Sequence, residues 1–186
     1  MEYIFQSNFI LRFQPPNLNE LLSKVNEFDH TDVDNSAFNW GEYCSVDKIL
    51  LDLNEMLPYI IPSIDCISKE LEYSGNYFAN PPWINLYSKG SFQEVHDHFP
   101  WTLACVFFAN DGENFSKFYV KDRNNVNTSQ DLQEILYKLN GYNAAQFINI
   151  KAGDMIVFPG NMLHGVSAHG SDIIRKTLSF NLNFTK

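Results

Sequence analysis

Strict alternation of polar and apolar side chains over residues 177–184, preceded by Arg175 on the polar face, is the feature that most constrains this chain. In an extended strand, successive side chains point to opposite faces. One face of this strand is apolar, and the other is polar from end to end: Arg175, Thr177, Ser179, Asn181 and Asn183. A solvent-facing strand could look like this. An interior pocket for an anion fits at least as well, because Arg offers a rigid fork to a carboxylate and Thr adds a hydroxyl donor.

Period-two patterning begins near residue 83 and predicts a series of short strands. They are expected at residues 83–87, 92–98, 103–108, 115–120, 147–150, 155–158 and 176–184. A short helix over residues 128–139, beginning with a capping box at Thr128 and Asp131, interrupts the series. Helices first and strands afterwards indicate a mainly β, α+β fold whose second half is a β-sandwich or jelly roll.

The first third of the chain is predicted to be mainly helical after a strand at residues 9–13. Asn17 and Glu20 have the spacing of a capping box before an apolar helical stripe over residues 18–28. Ser45 is a candidate cap for a second helix, with its stripe over residues 49–57. Pro58 and Pro62 then break or restart that helix, and a third segment follows over residues 64–71.

Length and composition favour one folded domain. The chain has 186 residues, of which 45% are hydrophobic, and a single domain typically spans about 100–200 residues. We expect residues 1–80 to form strand and helical support and residues 81–186 to form the catalytic half. The formal net charge of −9 argues against partners held by Lys and Arg, namely nucleic-acid backbones and anionic membranes.

The three cysteines, Cys44, Cys66 and Cys105, match no zinc or redox spacing and are expected to be free thiols. The N-terminus has no basic region followed by an apolar segment, so no signal peptide is evident. The longest apolar run, residues 103–109, is far shorter than the roughly 20 residues of a membrane helix. These features predict a cytoplasmic protein.

Two histidine motifs are candidates for a metal site. On a strand, His96 and His98 share a face, so both imidazoles can bind one ion, while Asp97 points to the other side. His164 follows an apolar strand and a Phe-Pro-Gly turn and is expected on a loop. Each motif alone has an ordinary structural explanation, as a polar strand end or a loop histidine.

Taken together, the order His-x-His, a series of strands, a later His after Phe-Pro-Gly, and Arg-x-Thr resembles the Fe(II)- and 2-oxoglutarate-dependent dioxygenases. The likeness is clearest to prolyl hydroxylases and to small bacterial and phage oxygenases. The prolyl-hydroxylase pattern Tyr-x-x-Gly-x-x-Tyr-x-x-His-x-Asp is met by Tyr87, Gly90, Gln93, His96 and His98, with Gln in place of the second Tyr and His in place of Asp. The resemblance covers about residues 83–184.

This resemblance implies a double-stranded β-helix with N-terminal helices packed on one sheet. It implies Fe(II) and 2-oxoglutarate, with His96 and His164 as metal ligands. Arg175 would pair with the distal carboxylate of 2-oxoglutarate, with Thr177 beside it. Strand parity adds further residues to this co-substrate pocket, namely Tyr87, Asn85 and, deeper in, Ser179.

The third ligand departs from the family's two-His, one-carboxylate set. We favour a three-histidine site with His98 as the ligand, because strand parity directs it to the metal and a second His is a feature of related small oxygenases. Asp97 as the ligand would require a β-bulge. A third alternative is an altered, poorly catalytic site.

The function expected from the resemblance is hydroxylation of a substrate with release of succinate and CO₂. The substrate is expected to be a small molecule or a peptide: a prolyl or other side chain, a free amino acid or another metabolite. Two alternatives use a similar fold. One is a cupin-like metal enzyme without 2-oxoglutarate, which would not need Arg175 and Thr177, and the other is a non-catalytic binding module.

Overall fold

The computed structural model describes residues 9–33, 45–121 and 145–185. Within them, helix α1 spans Leu18–Asn26 and helix α2 spans Leu53–Glu70. The strands are β1 (Leu11–Phe13), β2 (Asp47–Leu50), β3 (Asn76–Ala79), β4 (Trp83–Tyr87), β5 (Gln93–His96), β6 (Leu103–Phe108), β7 (Phe118–Lys121), β8 (Ala145–Phe147), β9 (Met155–Pro159), β10 (Leu163–Val166) and β11 (Arg175–Thr185). The helix expected at residues 128–139 lies outside the described residues, as does Cys44.

The strands form two antiparallel sheets. The larger has the order β1-β9-β6-β11-β4-β2, with β3 paired to the C-terminal end of β11. The smaller has the order β5-β10-β7-β8. Strand β11 is long enough to pair with three neighbours, β3, β4 and β6, and is the centre of the larger sheet. The predicted mainly β fold of two sheets with helices is confirmed.

Both helices pack against the outer face of the larger sheet. Val25 of α1 and Ile60 and Ile64 of α2 are fully buried in one apolar cluster with Leu178 and Phe180 of β11. These are the apolar positions of the alternating pattern in β11. Their burial fixes the register of the strand, because a shift by one residue would place them on the other face.

The inner face of the larger sheet meets the smaller sheet in a second cluster. Phe108 and Phe158 of the larger sheet pack with Phe118 and Val166 of the smaller one. The polar face of β11 points into this space, and four of its members are buried: Arg175, Thr177, Ser179 and Asn181. These four residues therefore face the interior, so the solvent-facing interpretation of the strand is wrong for them, and the pocket for an anion stays a prediction.

The second predicted helix is wrong at its start and in its breaks. Residues 47–50 form β2, and the Ser45 hydroxyl accepts a hydrogen bond from the Phe92 N–H instead of capping a helix. Asp52 caps α2 by accepting from the Glu55 N–H at 3.1 Å. The helix then continues through Pro58 and Pro62, because the buried apolar face of α2 outweighs the two missing backbone hydrogen bonds.

The capping box expected at α1 does not form. Asn17 precedes the helix, but its side chain makes no capping hydrogen bond. Its amide instead donates to the Tyr59 carbonyl at 3.0 Å and joins α1 to α2. A tertiary contact has replaced the local one. In the part of the chain that the structure describes, no helix is both long and apolar enough to cross a membrane.

Candidate metal and co-substrate site

His96 and His164 are cross-strand partners in the smaller sheet. Strands β5 and β10 pair antiparallel with His96 opposite His164, and the two ring centroids lie 4.3 Å apart. His164 was expected on a loop after Phe-Pro-Gly. That expectation is wrong: His164 belongs to β10, which is paired on both sides, to β5 and β7. The sheet itself therefore brings these two imidazoles together.

His98 completes a cluster of three imidazoles. It lies two residues beyond the end of β5, where its backbone N–H donates to the Gly160 carbonyl at 2.6 Å. Its Nε2 lies 3.2 Å from the Nε2 of His164. Across the cluster, one ring nitrogen from each of His96, His98 and His164 lies within 4.8 Å of the other two.

Backbone carbonyls fix the tautomers of two of these rings. The Nδ1 of His96 lies 2.7 Å from the Glu94 carbonyl, and the Nδ1 of His164 lies 2.9 Å from the Met162 carbonyl. A carbonyl only accepts, so each Nδ1 carries the proton and donates it. Each Nε2 is left with its lone pair directed toward the cluster. Orientation by a second hydrogen bond is typical of metal-binding histidines.

Asp97 does not reach this cluster. Its carboxylate accepts from the Phe99 N–H at 3.1 Å and caps the turn after β5. The imidazole of His98, and not the carboxylate of Asp97, lies beside His96 and His164. Of the two residues considered for the third ligand, His98 is the one with the geometry for it.

The three rings are held in the neutral form that binds metals. Burial is the main cause, and it lowers the pKa of His96, His98 and His164. The pKa of His98 falls to about 3, with smaller contributions from His96 and from the ammonium of Lys48. Protons therefore compete weakly with a metal ion for these nitrogens.

Arg175 is buried at the start of β11, with 5% of its surface exposed. Its Nη1 donates to both the carbonyl and the hydroxyl of Ser116, the latter at 2.9 Å, and its guanidinium lies 4.9 Å from the centroid of the Phe108 ring. The buried Nε has no hydrogen-bond partner. Among the described residues no carboxylate forms an ion pair with it. Burial without a counter-charge lowers the pKa of Arg175.

The remaining predicted co-substrate residues lie between Arg175 and the histidines. Asn85 on β4 stands opposite Thr177 on β11, and its amide donates to the hydroxyls of Thr177 and Ser179 at 3.2 and 3.3 Å. The side-chain oxygen of Asn85, Oδ1, is buried without a hydrogen-bond partner. Tyr87 stands opposite Arg175 and donates its hydroxyl to Gln93 at 2.6 Å. The alternation of side chains along β4 and β11 thus correctly predicted the inner face for these residues, namely Asn85, Tyr87, Thr177 and Ser179.

Two cavities meet at the Phe108 and Phe118 rings. A cavity of about 40 Å³ is bordered by the three histidines together with Asn85, Thr177 and Ser179. A larger one, of about 360 Å³, is bordered by Arg175, Ser116 and Lys151. Phe108 and Phe118 border both. The histidine cavity and the Arg175 cavity are therefore neighbours that share these two aromatic walls.

Lys48 and Ser116 border these cavities and were missed from the sequence. Lys48 lies on β2 opposite Asn85 and borders the histidine cavity. It lies in the segment for which the sequence predicts the start of a helix, so no inward strand face is predicted for it. Ser116 contacts Arg175 over a sequence separation of 59 residues. Neither has a motif, and residues 47–50, two charged residues followed by two apolar ones, show no alternation that would indicate an inward face for Lys48.

The donor set fits a divalent iron ion and a dicarboxylate. Two nitrogen ligands on adjacent positions of one ion lie about 3 Å apart when each bond is about 2.1 Å, and the Nε2 atoms of His98 and His164 meet this at 3.2 Å. Imidazole is a ligand that suits iron. The unpaired Arg175 Nε and Asn85 Oδ1 are buried polar atoms of the kind that a bound ligand satisfies.

Comparison with protein families finds one match. Residues 82–181 match the model of a family described as "Putative 2OG-Fe(II) oxygenase". This match covers more than half of the chain and includes every residue predicted for the site. A sequence comparison with curated proteins finds no match.

Solved structures with the same fold include several oxygenases. A Pseudomonas putida prolyl-4-hydroxylase is 12% identical, with a TM-score of 0.64, and the alignment covers 95% of this chain and 93% of that one. The 2-oxoglutarate-dependent epimerase SnoN of nogalamycin biosynthesis is 12% identical, with a TM-score of 0.65, and the alignment covers 93% of this chain and 77% of that one. A Trichoplax adhaerens prolyl hydroxylase, solved with a hypoxia-inducible-factor peptide, is 11% identical, with a TM-score of 0.63, and the alignment covers 93% of this chain and 82% of that one. These likenesses confirm the double-stranded β-helix.

Proposed function

The chain belongs to the 2OG-Fe(II) oxygenase family, whose members use Fe(II) and 2-oxoglutarate, and on that premise we propose that it hydroxylates a substrate with release of succinate and CO₂. His96, His98 and His164 hold the iron. Arg175, with Thr177, binds the co-substrate. When bound, the iron supplies the redox chemistry with dioxygen, for which 2-oxoglutarate provides two electrons.

One observation carries this proposal: three neutral imidazoles converge on one cavity, and the neighbouring cavity is bordered by a buried guanidinium that has no counter-charge among the described residues. A metal ligand set alone is compatible with many metalloenzymes. A buried cation without a counter-charge is costly unless an anion neutralises it. A co-substrate that chelates metal at one end and carries a carboxylate at the other satisfies both features.

The residues of the chain have distinct tasks in this scheme. The carbonyls of Glu94 and Met162 hold the Nδ1 protons of His96 and His164, so the lone pairs stay aimed at the metal. Arg175 neutralises the distal carboxylate of 2-oxoglutarate with a forked, charge-assisted contact. Its pairing with Ser116 keeps the fork from rotating away.

The pocket between the two ends orients the co-substrate chain. Asn85, Thr177 and Ser179 already form one hydrogen-bonded group and can exchange these internal bonds for bonds to the ligand. Tyr87 lies across from Arg175 on β4. Phe108 and Phe118 provide apolar walls that exclude water from the interior.

Hydroxylation is the outcome that we propose, and the substrate class stays broad. The Trichoplax relative was solved with a peptide and SnoN is described as an epimerase, so relatives of this fold differ in substrate and in outcome. We propose a small molecule or a peptide as the substrate. The net charge of −9 disfavours a nucleic-acid backbone.

Anaerobic titration tests the co-substrate role. Fe(II)-loaded protein is titrated with 2-oxoglutarate while the visible charge-transfer absorption is recorded. The wild-type protein should develop the band. Arg175→Ala should need roughly 30- to 150-fold more 2-oxoglutarate, because a charged hydrogen bond worth about 2–3 kcal/mol is lost. Arg12→Ala is the matched control, since Arg12 is an exposed arginine on β1 that contacts only a surface carbonyl in the described structure.

The alternatives predict different results in the same titration. A metal enzyme without 2-oxoglutarate would bind Fe(II) and give no band. A non-catalytic binding module would bind neither Fe(II) nor 2-oxoglutarate tightly. If aerobic protein with Arg175→Ala still formed succinate at the wild-type rate and at the wild-type 2-oxoglutarate requirement, the assigned role of Arg175 would be wrong.

A further inference from the structure

His169 is a buried histidine outside the three-imidazole cluster. It lies between β10 and β11 with 1% of its surface exposed. Its Nδ1 accepts from the Ser116 N–H at 3.1 Å, and its Nε2 lies 2.7 Å from the Ile173 carbonyl, to which it donates. Both ring nitrogens are therefore used, and the neutral tautomer with the proton on Nε2 is fixed.

The backbone of His169 is also anchored. Its N–H donates to the Ser91 carbonyl at 2.8 Å, and its carbonyl accepts from the Gly90 N–H at 2.7 Å. The ring packs edge-on against Phe115 with centroids 4.8 Å apart. The position of the imidazole is thus determined from three sides.

Ser116 connects this imidazole to Arg175. It precedes β7, and the peptide group that follows it is held by the Lys117 N–H, which donates to the Ser167 hydroxyl at 2.8 Å. The N–H of Ser116 is held by His169, while its carbonyl and hydroxyl both accept from Arg175 Nη1. The conformation of Ser116, which His169 holds on its N–H side, therefore affects where the guanidinium can sit.

We infer that His169 is a positioning residue: through Ser116 it sets the orientation in which Arg175 receives the distal carboxylate of the co-substrate. The inference rests on the proposed function of Arg175. Histidine suits the position because it presents an acceptor and a donor on opposite sides of a rigid ring. A phenyl ring of similar shape would leave the Ser116 N–H and the Ile173 carbonyl buried without partners.

A positioning role of this kind is selective among ligands. His169 should affect ligands that carry a distal carboxylate and spare those that only chelate the metal. Oxalate chelates a metal in a five-membered ring of the same size as 2-oxoglutarate does, through two carboxylate oxygens, and lacks the distal carboxylate. A residue that merely stabilised the fold would change the affinity for both ligands together.

The test compares the two ligands on Fe(II)-loaded full-length protein by anaerobic calorimetric titration. His169→Phe should weaken 2-oxoglutarate binding about tenfold, less than removal of the guanidinium itself, and change oxalate affinity less than twofold. His169→Asn keeps an acceptor and a donor on its amide, so it should recover most of the lost affinity. Equal losses for both ligands, or no loss for either, would overturn the inference.

A double-mutant cycle keeps the inference testable if His169→Phe does not fold. If His169 acts through Arg175, His169→Leu, which removes both ring hydrogen bonds, should lower 2-oxoglutarate affinity in the wild-type background and cause no further loss in the Arg175→Ala background. Additive losses would overturn it. Wild-type affinity in Arg175→Ala alone would instead overturn the proposed function of Arg175, and the role of His169 with it. A large loss in Arg175→Ala, with wild-type affinity in His169→Leu, would overturn only the inference about His169.

Discussion

His96 and His164 stand opposite each other on two neighbouring antiparallel strands, β5 and β10. The backbone ladder therefore sets the separation of their imidazoles. His98 approaches the pair from an irregular segment that is tied to Gly160 by two backbone hydrogen bonds, from the His98 N–H to the Gly160 carbonyl and from the Gly160 N–H to the Thr102 carbonyl. The candidate metal site thus combines two rings placed by a strand ladder with a third placed by the contacts of an irregular segment.

Substitution of His98 and of Asp97 distinguishes the two candidates for the third ligand. His98→Ala should lower Fe(II) affinity at least tenfold, because one of three nitrogen ligands is lost. Asp97→Ala should leave Fe(II) affinity within about threefold, since this carboxylate is used by the Phe99 N–H. It should lower the free energy of unfolding by about 1 kcal/mol through the lost hydrogen bond.

Anaerobic Fe(II) titration of the two variants, side by side with urea unfolding of each, provides the measurement. The unfolding data serve as the control, because they separate loss of the metal from loss of the fold. Loss of Fe(II) binding in Asp97→Ala with retention in His98→Ala would reassign the ligand to the carboxylate.

Acidification should destabilise the metal-free protein. An unfolded histidine titrates near 6.5, while burial lowers the pKa of His96, His98 and His164 in the folded state, for His98 to about 3. The unfolded chain therefore binds more protons than the folded one below about pH 6.5. The free energy of unfolding therefore has its full value, as far as these histidines affect it, above about pH 6.5. It decreases as the pH falls toward the pKa values of the folded state.

Urea unfolding of the metal-free protein between pH 7 and pH 5 measures this effect. The free energy of unfolding should fall across the interval, and the fall should be shallower in His98→Gln, which has one buried imidazole fewer. An identical slope in His98→Gln would show that His98 does not have the lowered pKa.

Local patterns identified those parts of the site that depend on strand parity. The alternation over residues 177–184 placed Thr177, and Arg175 before it, on the inner face, and residues 83–87 did the same for Asn85. In both strands the opposite face is apolar and buried against the helices, so the pattern admits only one orientation.

Local sequence patterns could not predict contacts between segments that are distant in the sequence. Ser116 and His169 are 53 residues apart and meet through one hydrogen bond. Strand β10 is only four residues long and contains Gly165, so its sequence is closer to that of a turn than of a strand. Its strand form comes from pairing on both sides, which is a property of the sheet and not of the segment.

The missed continuity of α2 has a similar origin and leads to a stability prediction. Pro58 is exposed within the helix, where proline is about 3 kcal/mol less favourable than alanine. Part of this difference is offset because proline lowers the conformational entropy of the unfolded chain, which stabilises the folded state by about 1 kcal/mol. Pro58→Ala should therefore raise the free energy of unfolding by about 1–2 kcal/mol.

Urea unfolding of Pro58→Ala and Pro62→Ala checks that prediction. Pro62 is half-buried, so its replacement also removes ring contacts and should give a smaller gain. A lower stability of Pro58→Ala than of the wild-type protein would mean that the ring at residue 58 contributes packing that its exposure does not suggest.

Gly160 should prove necessary for the position of His98. A Cβ at residue 160 would lie 2.0 Å from the carbonyl oxygen of Trp101, a backbone atom that cannot move aside alone. Gly160→Ala should therefore push residues 98–102 away, lower the free energy of unfolding by about 1–3 kcal/mol and weaken Fe(II) binding by displacing His98. Gly112→Ala is the control, because its Cβ would meet only the side chain of Phe115. Wild-type Fe(II) affinity in a folded Gly160→Ala protein would show that the backbone bond between residues 98 and 160 does not position the third imidazole.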